Sequence, residues 1–183
     1  SRFRYVSHKI YRGVPEVSGM PHARSGGETL EITLKDDFSP AEIKLNYTAF
    51  EDSDVLVRNA EILNTGDRPF MLKRAFSFCT ELPDGKFSLM RLHGTWGAER
   101  SPDVKPLGYG TVRLQSMRGT SSHQMNPFMG LLRANCTEDE GECYGFQLVY
   151  SGSFALTAEV SPIGRLRLQG GVNDMNFGWK LEA

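Results

Sequence analysis

Leu30-Glu31-Ile32-Thr33-Leu34 and Ile43-Lys44-Leu45-Asn46-Tyr47-Thr48 place apolar and polar side chains in alternation. A period of two sends successive side chains to opposite faces of a pleated strand, whereas an amphipathic helix repeats its apolar residues at intervals of three and four. Both runs therefore predict half-buried β-strands. After the acidic turn Glu51-Asp52-Ser53-Asp54, residues 55–63 return as a further strand. Asn64-Thr65-Gly66-Asp67 closes a hairpin onto one run holding Phe70, Leu72, Ala75, Phe76 and Phe78, since a glycine there can adopt the positive φ of a tight turn. Pro83-Asp84-Gly85 marks the next turn, and Phe87, Leu89, Arg91 and His93 resume the rhythm. Later strands are expected at residues 112–117, 128–134, 144–150, 154–160, 166–168 and 177–181. No window of twelve residues keeps a helical stripe free of Gly and Pro. The fold class predicted is all-β, a large antiparallel β-sandwich in one domain over residues 1–183, because a single twisted sheet of about a dozen strands curls or splits into two. No fixed-period repeat is present, which counts against a propeller or a solenoid.

Composition narrows the partners. Hydrophobic residues make up 39% and aromatic residues 10% of the 183, with 19 glycines, which suits a folded domain with its own core. The 21 basic and 22 acidic residues leave a formal charge of -1, so no electrostatic footprint for nucleic acid or an anionic membrane is expected. No apolar run approaches the roughly 20 residues of a membrane span. The three cysteines, Cys79, Cys136 and Cys143, form no C-x-x-C pair and leave a thiol over, which points to a reducing compartment, read as the cytoplasm. Cys136 and Cys143 flank Thr137-Glu138-Asp139-Glu140-Gly141-Glu142 and can approach each other across a hairpin. The favoured reading is two reduced thiols beside a solvated turn. The chain begins without Met on a strand-like Ser1-Arg2-Phe3-Arg4-Tyr5-Val6 and stops on Trp179-Lys180-Leu181-Glu182-Ala183. It is expected to be a piece of a longer protein.

Residues that could carry chemistry are few. His8, His22, His93 and His123 are scattered and form no metal-ligand spacing, so neither a metal nor any other cofactor is expected. Ser121, Ser122 and His123 are adjacent, a spacing that turns neighbouring side chains apart, and no G-x-S-x-G elbow occurs. Two stretches interrupt the alternation and are read as long connections. One is Gly94-Thr95-Trp96-Gly97-Ala98-Glu99-Arg100 with the loop holding Pro102, Pro106, Gly108 and Gly110, and the other is residues 118–127. Loops on a rigid sandwich are where binding groups concentrate. Trp96 can stack on a sugar ring or simply pack, whereas Trp179 in an alternating segment reads as core. The loop groups of Arg118, Ser121, Ser122, His123, Gln124 and Asn126 either hydrogen-bond a polar partner or satisfy their own backbone, and both readings are open. Glu51, Asp52 and Asp54, like Glu138, Asp139, Glu140 and Glu142, read as solvated hairpin ends rather than a catalytic carboxylate pair.

Nine segments taken in order resemble the amino-terminal domain of glycoside hydrolase family 36, the bacterial alpha-galactosidases. They are residues 3–10, Glu28-Thr29-Leu30, residues 47–55, residues 64–67, Leu82-Pro83-Asp84-Gly85, His93-Gly94-Thr95-Trp96, residues 118–124, Tyr144-Gly145-Phe146 and residues 148–152. The resemblance implies a β-supersandwich of galactose-mutarotase-like architecture standing before a catalytic (β/α)8 barrel, in a retaining hydrolase of alpha-galactosides such as melibiose and raffinose. It implies the chain's own barrel as a partner, an alpha-galactoside substrate for the parent, and a homo-oligomer, a tetramer in the parent family. The family's nucleophile lies in a Lys-Trp-Asp-Met-Asn-like motif on a barrel strand. Asp174-Met175-Asn176 mimics it, but Asn173 and Val172 stand where Trp and Lys belong, so the segment is read as a decoy with no catalytic residue in this chain. The resemblance also implies that early strands, and in part the last, lie outside these residues. The chain alone is then expected to be inactive, supporting the barrel, building a subunit interface and lining the substrate entrance, with Trp96, Arg118, Ser121, Ser122, His123, Gln124 and Asn126 as candidates for either the entrance or the interface. Separated from a barrel, it should expose an apolar face and self-associate. Two further functions stay open, a stand-alone carbohydrate-binding sandwich and, by fold analogy alone, an aldose epimerase using a His acid and a Glu base.

Overall fold

A computed structural model describes residues 2–183, and none of them is helical. They form two compact units, one running to Lys73 and taking back Gly178–Ala183, the other spanning Arg74–Phe177.

In the first unit, β1 (Phe3–Arg12), β2 (Glu28–Asp36), β3 (Ala41–Ala49) and β4 (Leu56–Asn64) make an antiparallel meander in sequence order. Register follows the pattern of the sequence. Leu30, Ile32 and Leu34 lie opposite Tyr47, Leu45 and Ile43, which in turn face Arg58, Ala60 and Ile62. Directly opposed residues share a face, so the apolar side chains collect on one side of the sheet. The other side is anchored by hydroxyls. Thr29 and Thr48 are buried and paired through Oγ1 at 2.7 Å, and Thr29 Oγ1 also donates to the Gly13 carbonyl at 2.6 Å. A separate two-stranded ribbon joins β5 (Phe70–Leu72) to β14 (Trp179–Leu181).

The second unit is a sandwich of two four-stranded antiparallel sheets. One has the order β11 (Cys143–Gln147), β10 (Met125–Leu132), β7 (Ser88–Thr95), β8 (Ala98–Pro106). The other has the order β6 (Phe76–Leu82), β13 (Leu166–Val172), β12 (Phe154–Val160), β9 (Gly110–Gln115). Between them Leu89, Met129 and Leu131 from the first sheet meet Leu114, Phe154, Leu156, Leu166 and Leu168 from the second, all buried. Stacked sheets sit about 10 Å apart and are held by inner-face side chains that interlock. Backbone closeness is part of that interlock. A Cβ placed on Gly170 would stand 2.3 Å from Leu156 Cδ2 and 2.6 Å from Phe78 Cε1, so the absence of a side chain there admits both neighbours.

The all-β antiparallel sandwich expected from the alternation is present, but three segments differ. Residues 70–78 are not one strand. β5 and β6 are separated by Lys73-Arg74-Ala75 and pair in different units, because the apolar alternation passes unbroken through a change of partner. The expected long loop after Trp96 is instead strand β8, turned back at Trp96-Gly97 with Thr95 opposite Ala98. Pro102 and Pro106 are tolerated since β8 is an edge of its sheet, where a missing N–H costs no ladder bond. Trp179 is not core. It is 61% exposed, as a ribbon of three-residue strands offers too little surface to bury an indole.

Gly170→Ala should lower stability by about 1–3 kcal/mol through overpacking, seen as a reduced denaturant midpoint at an unchanged slope.

Candidate functional site

Two connections of the sandwich meet at one depression. The β7–β8 turn owes its shape to Gly97, whose φ of +77° suits glycine, and is followed by Arg100 at φ +58°. A non-glycine residue in that left-handed region costs on the order of 1 kcal/mol, and such strain persists where the surroundings impose it. The connection from β9 to β10 is held from within. Ser116 Oγ donates to the Thr120 carbonyl at 2.5 Å, the Gly119 amide donates to Ser153 Oγ at 2.8 Å, and the Ser121 amide donates to the Ser151 carbonyl at 2.7 Å. Ser122 closes the tip: its carbonyl accepts from the Met125 amide and its Oγ from the Gln124 amide, each at 3.2 Å.

The result is an open depression of about 220 Å³ lined by Glu99 and Arg100 from β8, by Ser121, Ser122 and His123 from the connection, and by Asn126 and Pro127 from the start of β10. Four of the seven residues singled out from the sequence, Ser121, Ser122, His123 and Asn126, come together there. Trp96, Arg118 and Gln124 do not line it. Trp96 is 88% exposed at the hairpin apex, and Arg118 and Gln124 point to solvent from the loop. Of the two readings left open for the loop groups, Ser122 serves the backbone. Among the described residues, the side chains of Ser121, His123, Gln124 and Asn126 make no hydrogen bond within the protein, and neither do those of Glu99 and Arg100. The depression therefore presents both signs of charge together with neutral donors and acceptors. Glu99 and Arg100 were not evident as site residues in the sequence, because their placement depends on β8 folding back at Gly97.

The Asp174 segment has a different character. Asp174 Oδ2 accepts from Arg74 Nη2 at 2.8 Å and Nε at 3.1 Å, and Oδ1 accepts from Arg113 Nη2 at 2.6 Å. Neighbouring Asn173 is buried and spans the strands, donating from Nδ2 to the Ser116 carbonyl at 3.0 Å and the Phe154 carbonyl at 3.1 Å. The hydrogen bond from Arg113 holds the Asp174 carboxyl below the usual carboxylate range against the opposing effect of burial. Both oxygens are engaged by guanidinium groups, an arrangement that fastens β13's exit to β9. Among the described residues no three His, Cys, Asp or Glu side chains gather as a metal site.

Fold and surface together define an antiparallel β-sandwich protein whose loops carry a polar, hydrogen-bonding depression. The chain belongs to the glycosyl hydrolase family 36 N-terminal domain family, whose model matches residues 1–182. It is 40% identical to alpha-galactosidase AgaA of Geobacillus stearothermophilus over 98% of this chain and 25% of that protein. It is 36% identical to the bifunctional alpha-galactosidase/sucrose kinase AgaSK of Mediterraneibacter gnavus, over 98% of this chain and 20% of that protein. A crystal structure of an AgaA variant in complex with raffinose superposes with a TM-score of 0.96 at 39% identity, covering 99% of this chain and 26% of the other. The chain thus spans about a quarter of the length of the curated relatives it matches.

Asp174→Asn should destabilise the protein by about 1 kcal/mol near neutral pH, the scale of one partly exposed charge-assisted pair. Because the folded carboxyl titrates below its unfolded value of about 3.9, its contribution is present above that pH and fades as pH falls through the folded value. The gap between the urea midpoints of wild type and variant should therefore narrow below about pH 4.

Proposed function

We propose that this chain is the non-catalytic amino-terminal domain of an alpha-galactosidase, a retaining hydrolase acting on alpha-galactosides such as melibiose and raffinose. The observation that carries the reading is the match in fold and sequence along nearly the whole chain to one quarter of alpha-galactosidases, one of them solved with raffinose. Its roles are to support a (β/α)8 barrel, to contribute to a subunit interface in a homo-oligomer, read as a tetramer, and to border the substrate entrance. The Asp174 geometry supports the assignment of chemistry elsewhere, since that carboxylate is committed to Arg74 and Arg113. Three cysteines without a disulfide support a cytoplasmic parent protein.

The chain alone should not release nitrophenol from a nitrophenyl alpha-galactoside, whereas the whole protein should. Turnover by the chain that is abolished in Asp174→Ala would overturn the proposal.

The depression favours a second, compatible reading, that the sandwich itself holds sugar hydroxyls. Ser121, His123, Asn126 and Glu99 offer acceptors and donors with no internal partner, and sugars are bound by such convergent polar groups. In the whole protein, His123→Ala and Asn126→Ala should raise KM for raffinose by about threefold to tenfold with kcat largely kept, the signature of lost ground-state binding. Titration calorimetry of the chain with galactose and raffinose at millimolar concentration tests binding by the sandwich alone, and an absence of heat would count against it.

A further inference from the structure

The turn joining β10 to β11 brings two thiols together. The ladder pairs Leu132 with Cys143, and one step beyond it the Arg133 amide donates to the Glu142 carbonyl at 3.1 Å. The chain then folds back on itself. The Cys136 amide donates to the Arg133 carbonyl at 3.0 Å, and the Thr137 amide to the Glu140 carbonyl at 2.8 Å. Thr137 Oγ1 adds acceptance from the Glu140 amide at 3.1 Å and the Asp139 amide at 3.2 Å. Gly141, at φ +105°, lies so close that a Cβ there would stand 2.6 Å from Cys136 Cα. This approach seats Cys136 beside the segment that leads into the strand starting at Cys143, with its own Sγ donating to the Thr137 carbonyl at 3.6 Å. Cys79 lies elsewhere, on β6, beside Gln169.

We propose that Cys136 and Cys143 form a dithiol site that a low-molecular-weight disulfide converts reversibly into an intramolecular disulfide. Cys143 is exposed and Cys136 half-buried. Burial, reinforced by the neighbouring thiol, pushes the Cys136 thiol up, so the entering nucleophile is Cys143. Its thiolate attacks one sulfur of the small disulfide, breaking that S–S bond and expelling one thiolate, which takes up a proton. Cys136 then loses its proton to solvent, attacks Cys143 Sγ of the mixed disulfide and expels the second small thiolate, which is protonated in turn. Two protein thiols are oxidised and one small disulfide is reduced to two thiols, so protons and electrons balance. A reducing thiol buffer runs the sequence backwards. The hairpin supplies the advantage over a solitary cysteine, since the second attack is intramolecular at a high effective concentration. The bond would close the loop at an exposed edge of the sandwich, beside Arg133, which grips Asp84 at 2.6 Å and Glu142 at 3.3 Å.

The test uses oxidised glutathione as the probe, followed by alkylation, trypsin digestion and mass spectrometry. No Lys or Arg lies between Ala134 and Ser161, so both cysteines fall in the single peptide of residues 134–165, while Cys79 falls in residues 75–86. The expected result is a 134–165 peptide lighter by two hydrogens and closed to alkylation, restored by dithiothreitol. It should appear at an oxidant level roughly tenfold lower than the level that modifies Cys79. Cys143→Ser should abolish it while leaving the fold intact. Persistent glutathione adducts on Cys143, a link to Cys79, or equal alkylation of Cys136 and Cys143 before and after oxidation would overturn the proposal.

Discussion

The interdigitation of two inner faces governs the second unit. Phe154, Leu156 and Leu168 on one sheet and Leu89, Met129 and Leu131 on the other are removed from water together, and each such side chain contributes about 1.5–3 kcal/mol on burial. Neither sheet can keep its hydrogen-bond register without the other, since a slip of one residue would turn these side chains to solvent. The constraint reaches outward. β12 stands inside its sheet, pairing with β9 and β13, and its Phe154 and Leu156 meet Met129 and Leu131 of β10 across the core, so both ends of the β9–β10 connection rest on that core.

Polar interactions then fasten what the core has placed. Asn173 bridges the Ser116 and Phe154 carbonyls while its neighbour Asp174 draws in Arg74 and Arg113. On the opposite sheet Arg133 lies 3.8 Å over the Phe87 ring and forks onto Asp84. The hydrogen bond from Arg133, with help from the Lys86 amide, lowers that carboxyl to about 2. Guanidinium groups serve both tasks because they can stack on an aromatic face and bind a carboxylate in a planar fork. The loops of the sandwich are thereby tied to strands, while the side chains of Glu99, Arg100, Ser121, His123 and Asn126 in the depression are left without hydrogen-bond partners among the described residues.

What could be read from the residues depended on whether burial had imprinted a period. β2 and β3 were legible because each has one apolar and one polar side, and the register pairing Leu30 with Tyr47 follows from it. β8 was not, since all but one of its nine residues are exposed and an edge strand with two solvated faces carries no hydrophobic alternation. The break at Lys73-Arg74-Ala75 was invisible for the opposite reason, as apolar alternation continued on both sides of it. The segment of Ser121, His123 and Asn126, running from the loop into β10, was evident as a concentration of polar groups, but its companions Glu99 and Arg100 were hidden, because a residue on β8 reaches the depression only through the Gly97 turn. Trp179 misled because alternation over three residues does not specify a buried face.

The prolines of β8 reach beyond the strand itself. The Leu107 amide donates to the Phe87 carbonyl, so by alternation the amides at 105, 103 and 101 turn toward β7 and positions 102, 104 and 106 turn outward. Two of those three outward positions are proline, leaving Val104 as the single outward donor along that stretch. A visiting strand that tried to zip onto this margin would find half a ladder, and open-ended growth of sheet upon sheet, the route to fibrous deposits, is blocked there. A molecule that approaches along this margin meets outward carbonyls with one amide donor among them, so recognition there falls mainly to side chains, which discriminate among partners in a way that a bare polypeptide backbone cannot.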